Sequence, residues 1–282
     1  MTVKWLIHFA VIFSLMSDYQ WERIWRMRII NNVRKRMNVT QGKLSIVMPA
    51  YNEEALIYHS IMTTLEVVSD FAENIEIVAV NDGSSDNTKH EIERACIKDS
   101  RVKLVSSDKN HGKGAAIITG VTMADGDYIA FLDADLELPP GQLKGFLKKM
   151  EQSKADVVIG CKFHKDSHIV YPLKRRIMSR CYYIMLLLLF HLKVQDTQTG
   201  IKLFKREAIK SVAHLVRTSG FAYDIELLVA LNRRGYIIDE MPVELKFVRD
   251  KEARRIGAKD VWKVFKDTFS IFNRVYIKKY YD

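Results

Sequence analysis

Two carboxylates, Asp133 and Asp135, stand one residue apart directly after the apolar run Tyr128 to Leu132. On an extended strand, side chains two apart share a face, so this pair would converge and repel. Such repulsion is tolerated where a divalent cation, or a cation with a phosphate, sits between the groups. Mg2+ and Mn2+ are hard ions that bind through one or two carboxylates plus substrate phosphates. The competing reading of an isolated pair is a solvated acidic turn ahead of Pro139-Pro140.

The segments around the pair predict what positions it. Leu44 to Met48 is an apolar run ending at Pro49, as in a buried parallel strand. Asn52 is expected to cap the next helix, with Glu53 and Glu54 in its first turn and Ile57, Ile61, Leu65 and Val68 along its inner face. Ile75 to Val80 is a second strand and Asn81 to Asp86 a turn, with Asp86 capping a helix from Asn87 to about Ile97. Val102 to Val105 is a third strand, and Asn110-His111-Gly112-Lys113-Gly114 opens a helix running through Met123. Asp125-Gly126 then turns into the strand that ends at the acidic pair. This alternation describes an α/β sheet, mostly parallel and covered on both faces. Ligands of such sheets bind at the C-terminal strand edge, where Pro49 to Glu53, Asp82 to Asp86 and Asp133 to Glu137 would meet. No G-x-G-x-x-G follows the first strand, and Lys109 to Gly114 lacks the phosphate-loop order, which counts against dinucleotide and P-loop chemistry.

Val47-Met48-Pro49-Ala50-Tyr51-Asn52-Glu53-Glu54, Val80 to Asp86, Asn110 to Gly114 and Asp133-Ala134-Asp135 resemble, in order, the motifs of the family-two glycosyltransferases of GT-A fold. Tyr171-Pro172-Leu173-Lys174-Arg175-Arg176, followed by Asp196-Thr197-Gln198-Thr199-Gly200-Ile201-Lys202, resembles the dolichyl- and polyprenyl-phosphate sugar synthases within that family. The resemblance covers roughly residues 43 to 250. It implies a UDP- or GDP-sugar donor, a dolichyl or polyprenyl phosphate acceptor, inversion at the sugar, and Mg2+ or Mn2+.

By that pattern Asp135 is the metal ligand, with Glu137 a second, at a position where many relatives are expected to carry Gln. Asp133 faces the ribose or assists the metal. Asp82 accepts hydrogen bonds from the base, Pro49, Ala50, Tyr51 and Glu53 line the base and ribose pocket, and Lys113 helps with base or phosphate. A carboxylate acceptor suits uracil and guanine alike, so Asp82 does not choose between them. Asp224 matches the acidic base motif. A lipid phosphate is already anionic and needs orientation more than deprotonation, so two roles stay open for Asp224, base or positioning group, beside a plain helix cap. Lys174, Arg175, Arg176, Arg249 and Arg255 are candidates for holding the acceptor phosphate or the diphosphate. The Thr199-Gly200 turn offers backbone N–H groups near the sugar.

The 282 residues carry a net charge of +10, clustered in Arg23 to Arg36, in Lys174 to Arg176 and in the last thirty residues. Such clusters suit nucleic acid or an anionic membrane surface, and no nucleic-acid motif accompanies them. Cys96, Cys161 and Cys181 show neither metal-ligand spacing nor a framework of pairs, as in a reducing compartment. Trp5 to Met16 would make a helix about 18 Å long against roughly 30 Å of hydrocarbon, so residues 1–40 are expected to form a short anchor or interfacial segment with the remainder cytoplasmic. Residues 41–250 would be the catalytic domain. Residues 251–282 would be a basic amphipathic helix with Val261, Phe265, Phe269, Phe272 and Tyr276 on one face. Cys181 to Leu192 is expected either at the membrane boundary or as a core helix. Two rivals to a lipid-phosphate sugar synthase remain: a transferase to a glycan or glycolipid hydroxyl, and a nucleotide-sugar-binding membrane protein without turnover.

Overall fold

The computed structural model describes residues 42–167, 173–220, 222–245 and 258–281; of 173–179 and 258–262 it describes only the helical course. The expected anchor and basic segment of residues 1–40 lie outside the described residues, as do Arg249 and Arg255. Lys174, Arg175 and Arg176 fall where the helical course alone is described.

Seven strands form one sheet: β1 (Leu44–Ala50), β2 (Ile75–Asp82), β3 (Val102–Ser107), β4 (Tyr128–Phe131), β5 (Val157–Cys161), β6 (Lys202–Lys205) and β7 (Ile238–Pro242). Their order is β3-β2-β1-β4-β6-β5-β7, and every neighbouring pair is parallel except the two that β6 makes with β4 and β5. Side chains alternate across it. Val47, Ile129 and Phe131 point into one core, while Ile46, Met48 and Ala130 point into the other. Helices α1 (Ile57–Ser69), α2 (Thr88–Lys98) and α4 (Leu143–Ser153) cover the second face. Helices α3 (Lys113–Met123), α5 (Leu173–Phe190), α6 (Arg206–Ala213), α7 (Tyr223–Arg233) and α8 (Ala258–Phe272) cover the first. The expected α/β class and its mostly parallel sheet are what the chain adopts.

At the N-terminal strand edge, Glu76 is 3 % exposed and stitches three segments together. It accepts hydrogen bonds from Lys43 Nζ (2.5 Å), Ser45 Oγ (2.5 Å) and the Asp125 N–H (2.7 Å), and Lys103 Nζ stands 3.0 Å away. Burial works against its charge, but these donors overcome it and hold the carboxyl down at about 2.

Several local expectations change. β2 and β3 each run two residues further, because Asn81 and Asp82 pair with Ser106 and Ser107; both therefore belong to a strand rather than to the turn. Asn52 does not cap α1. That helix begins at Ile57, with no acidic residue in its first turn. Asn52 instead adopts φ 55°, and its Oδ1 accepts the Ser85 N–H (2.9 Å). Asp86 does not hold the cap position of α2, which Asn87 takes without a side-chain cap; it lies one residue earlier and accepts from the Thr88 N–H (3.0 Å) and the Glu54 N–H (3.2 Å). The β1–α1 loop is thus laced to the β2–α2 loop.

At the C-terminus the expected apolar face is divided, Phe265 and Phe272 packing against α5 and Phe269 and Tyr276 facing outward. Thr268, Ile271 and Val275 are buried, whereas Phe269 and Tyr276 are 60 % and 40 % exposed. Contact with α5 fixes this rotation: Tyr182 Oη lies 3.2 Å from Thr268 Oγ1, and Phe190 stacks obliquely on Phe272. Within α5, Leu186 and Phe190 are buried while Ile184 and Leu188 are exposed, so this helix has one core side and one outer side. No described helix is long and apolar enough to cross a membrane.

Candidate active site

The C-terminal ends of β1, β2 and β4 lie side by side, which brings their three polar loops to one edge. Strand geometry does not orient the acidic pair, contrary to expectation. β4 stops at Phe131, and the chain turns through Asp133 to Leu136, closed by the Leu136 N–H on the Asp133 carbonyl (3.2 Å), with Leu136 at φ 51°. Asp135 Oδ1 accepts the Glu137 N–H (3.2 Å), and the Ser60 hydroxyl holds the Ala134 carbonyl (2.5 Å). Asp133, Asp135 and Glu137 are all half-buried on this turn.

Lys113, the first residue of α3, places Nζ 2.6 Å from Asp133 Oδ1. Burial opposes its charge, yet Asp133, then Asp224 and Asp135, hold the amine protonated above its ordinary range. Asp133 is also held from behind. A Cβ on Gly200 would stand 2.2 Å from Asp133 Oδ2, so only glycine lets the carboxylate lie against that turn. The loop carrying Lys113 is shaped by Asp82, which is 3 % exposed and accepts the His111 N–H (2.9 Å) and the Gly112 N–H (2.8 Å). Gly112 needs its φ of 98°, and a side chain there would meet the Ser219 carbonyl, which accepts the Gly114 N–H (2.8 Å).

Deeper in, Asp224 in the first turn of α7 is 6 % exposed. It does not cap the helix: Ala222 occupies that position, with no side-chain cap. Its Oδ1 pairs with Lys202 Nζ at 2.6 Å, and Lys202, 1 % exposed, also donates to the Thr199 carbonyl (2.5 Å). Burial raises the Asp224 carboxyl; Lys202 and Lys113 oppose the rise without cancelling it. Tyr223, buried beside Asp224 and bonded to it, has its hydroxyl pushed well up. Among the described residues the buried Thr199 hydroxyl has no hydrogen-bond partner.

Asp133, Asp135, Asp224, Lys113, Thr199 and Gly200 therefore lie together. Pro49 is half-buried and Ala50 buried at the tip of β1; Tyr51 beyond them is 42 % exposed, which excludes core packing for its ring, and Glu53 is half-buried. Sequence reasoning missed Lys202 and Tyr223. Lys202 had a signal, being a lysine set between the apolar Ile201 and Leu203 at the start of β6. The turn's hard carboxylate oxygens are the donor type that would suit a Mg2+ or Mn2+ ion. Among the described residues no three of His, Cys, Asp and Glu form a closed metal cage.

A mixed α/β sheet with an acidic turn at one strand tip, flanked by laced polar loops, defines a glycosyltransferase of GT-A type. Comparison with known proteins agrees. The model for glycosyl transferase family 2 matches residues 45–213, well over half of the 282, and the chain belongs to that family. It is 31% identical over 248 residues to dolichyl-phosphate beta-glucosyltransferase ALG5A of Trichomonas vaginalis, covering 82% of this chain and 74% of that protein. It is 29% identical over 204 residues to glycosyltransferase AglD of Haloferax volcanii, covering 72% of this chain but only 33% of that longer relative. In fold it is similar to glucosyl-3-phosphoglycerate synthase from Mycobacterium tuberculosis, solved with Mn2+, UDP and glucosyl-3-phosphoglycerate. The TM-score is 0.59 at 22% identity, over 83% of this chain and 81% of that one.

Proposed function

We propose that the protein transfers one sugar from a UDP- or GDP-sugar to a dolichyl or polyprenyl phosphate, inverting the anomeric carbon. The observation that carries this reading is the Asp224–Lys202 pair. A base that deprotonates a hydroxyl needs a free oxygen turned to it, yet here the carboxylate, although burial raises its pKa, is enclosed and held by a lysine at 2.6 Å. Such a group suits positioning, and an acceptor phosphate needs no deprotonation at neutral pH. The likeness to dolichyl-phosphate beta-glucosyltransferases supports the same acceptor class.

In this reading Asp135, with Glu137 beside it, would hold a divalent cation. When bound, that ion supplies Lewis-acid stabilisation of the charge growing on the departing nucleoside diphosphate. Asp82 first holds the His111–Gly112 backbone, and its remaining lone pairs meet the base. Tyr51, Pro49, Ala50 and Glu53 line the base and ribose pocket. Asp133 faces the ribose, Lys113 the diphosphate. The orphan Thr199 hydroxyl and the Gly200 backbone meet the sugar or acceptor, with Lys174, Arg175, Arg176, Arg249 and Arg255 drawn to phosphate. The acceptor oxygen attacks in line opposite the leaving diphosphate. The exposed Ile184 and Leu188 of α5 and Phe269, Tyr276 and Ile277 at the C-terminus, amid Arg180, Lys266 and Lys278, suit a membrane surface where the lipid resides, with the site on the cytoplasmic side.

The test is a panel of labelled UDP-Glc, UDP-GlcNAc, UDP-Gal and GDP-Man with polyprenyl phosphate and Mn2+ or Mg2+. One donor should yield label in an organic-soluble, acid-labile lipid. Label appearing only on a glycan or glycolipid hydroxyl would reject the acceptor class.

A further inference from the structure

Asp224 and Glu226 stand two residues apart on α7, so they leave the helix in different directions. Asp224 meets Lys202, whereas Glu226, fully buried, takes a separate set of partners. Its Oε2 accepts the Arg217 N–H (3.0 Å) and the Thr218 N–H (2.7 Å). Its Oε1 lies 3.0 Å from Arg274 Nε and accepts the Tyr281 hydroxyl. Arg274 Nη2 also donates to the Thr218 hydroxyl (3.1 Å), and Arg217 Nε donates to the Tyr280 hydroxyl (2.8 Å). Tyr281 is buried, and burial followed by the Glu226 contact pushes its hydroxyl pKa up, so it stays a donor. The loop held in this way leads to α3. The Ser219 carbonyl accepts the Gly114 N–H (2.8 Å), and a side chain on Gly114 would meet Tyr223 Cβ at 2.6 Å and the Thr218 carbonyl at 2.7 Å. The first turn of α3, with Lys113 on it, is therefore pressed against both this loop and α7.

We infer that residues 273–281 are a strap that seats Lys113: Tyr281 and Arg274 fix Glu226, Glu226 fixes the Arg217–Thr218 backbone, and the Ser219 carbonyl fixes the start of α3. The two backbone N–H groups satisfy only one oxygen of Glu226. Without the strap the other oxygen is enclosed and unpaired, a costly state that the carboxylate relieves by moving and letting the loop go. Tyr281 and Arg274 touch no reacting atom and are positioning residues. Their effect on donor binding rests on the reading that Lys113 meets the donor diphosphate; the seating of α3 does not.

Tyr281→Phe in the full chain tests this, since it removes one hydroxyl and keeps the ring. Hydrogen exchange should quicken roughly tenfold in peptides covering residues 110–116 and 215–220, the scale of a lost hydrogen bond to a charged group, while β1 and β2 exchange as in wild type. Calorimetry with UDP and with GDP in Mn2+ buffer should show nucleotide affinity falling roughly fivefold. In the Lys113→Met background the same substitution should change that affinity no further, which a merely structural role would not produce. Glu226→Gln should reproduce both effects. Unchanged exchange in residues 110–116, or exchange quickened equally throughout the sheet, would overturn the inference. So would a loss of affinity that persists undiminished in Lys113→Met. If Tyr281→Phe fails to fold, Arg274→Lys answers the same question. Failure of the wider reading looks different: neither UDP nor GDP then binds the wild type, and the exchange result still decides whether the strap seats α3.

Discussion

Replacing Lys202 with methionine leaves Asp224 buried without its partner, and the size of the penalty follows from the structure. Asp224 is 6 % exposed and Lys202 1 % exposed, so neither finds much water when the other is removed. Breaking such a pair costs about 3–5 kcal/mol. The carboxylate limits the loss by taking a proton. Holding an Asp protonated at pH 7 against an ordinary pKa near 3.9 costs about 4 kcal/mol, which caps the charge penalty. The folded variant then binds a proton that the unfolded chain releases, so its stability is greatest at acid pH and falls as pH rises above the unfolded value. The stability of Lys202→Met should fall by about 1.4 kcal/mol per pH unit above the unfolded value, and its deficit relative to wild type should grow once the pH passes the raised value that Asp224 keeps in the wild type. Urea unfolding at a series of pH values reads this directly. The double variant Lys202→Met with Asp224→Leu should recover most of the loss. A deficit that is flat with pH, or a double variant no better than the single one, would refute the reasoning.

Three further outcomes are expected. Glu76→Gln should cost about 3 kcal/mol at pH 7, since the carboxyl is held near 2 against an ordinary 4.5. The wild-type contribution is complete above about pH 4.5 and lost as pH falls through about 2, so the two proteins should converge in acid-unfolding measurements. Gly200→Ala, whose Cβ would stand 2.2 Å from Asp133 Oδ2, should displace that carboxylate and lower kcat/KM by roughly a hundredfold while the thermal midpoint moves little. Asp224→Asn should retain most transfer to polyprenyl phosphate, because the proposed role is to position; loss of all activity with the fold intact would favour a base acting on a hydroxyl.

Much of this architecture was legible in the chain. Apolar runs ending at Met48, Val80 and Leu132 predicted the parallel strands, and the short links between them forced helices onto both faces. That placed three polar loops at one edge. Three things stayed hidden, each because a distant partner decides it. Asn52 looks like a helix cap locally, but the loop at Ser84 and Ser85 claims it across 33 residues of chain. The antiparallel direction of β6 leaves no mark in a four-residue strand, so the pairing of Lys202 with Asp224 could not be foreseen. Helical spacing alone also cannot rotate α8; contact with Tyr182 and Phe190 turns Thr268 and Ile271 inward and Phe269 outward. The acidic pair itself was found for a partly wrong reason, since a turn rather than an extended strand presents it.

The central claim is that Asp135, in the turn after β4, would hold the divalent cation on which sugar transfer to a lipid phosphate depends. The most direct measurement is the initial rate of sugar transfer to polyprenyl phosphate for wild type and Asp135→Ala, each with Mn2+ and with chelator. Wild-type transfer should vanish with chelator and return on adding Mn2+, and Asp135→Ala should be inactive in both conditions while remaining folded. Undiminished transfer by Asp135→Ala, or by wild type in chelator, would contradict the account.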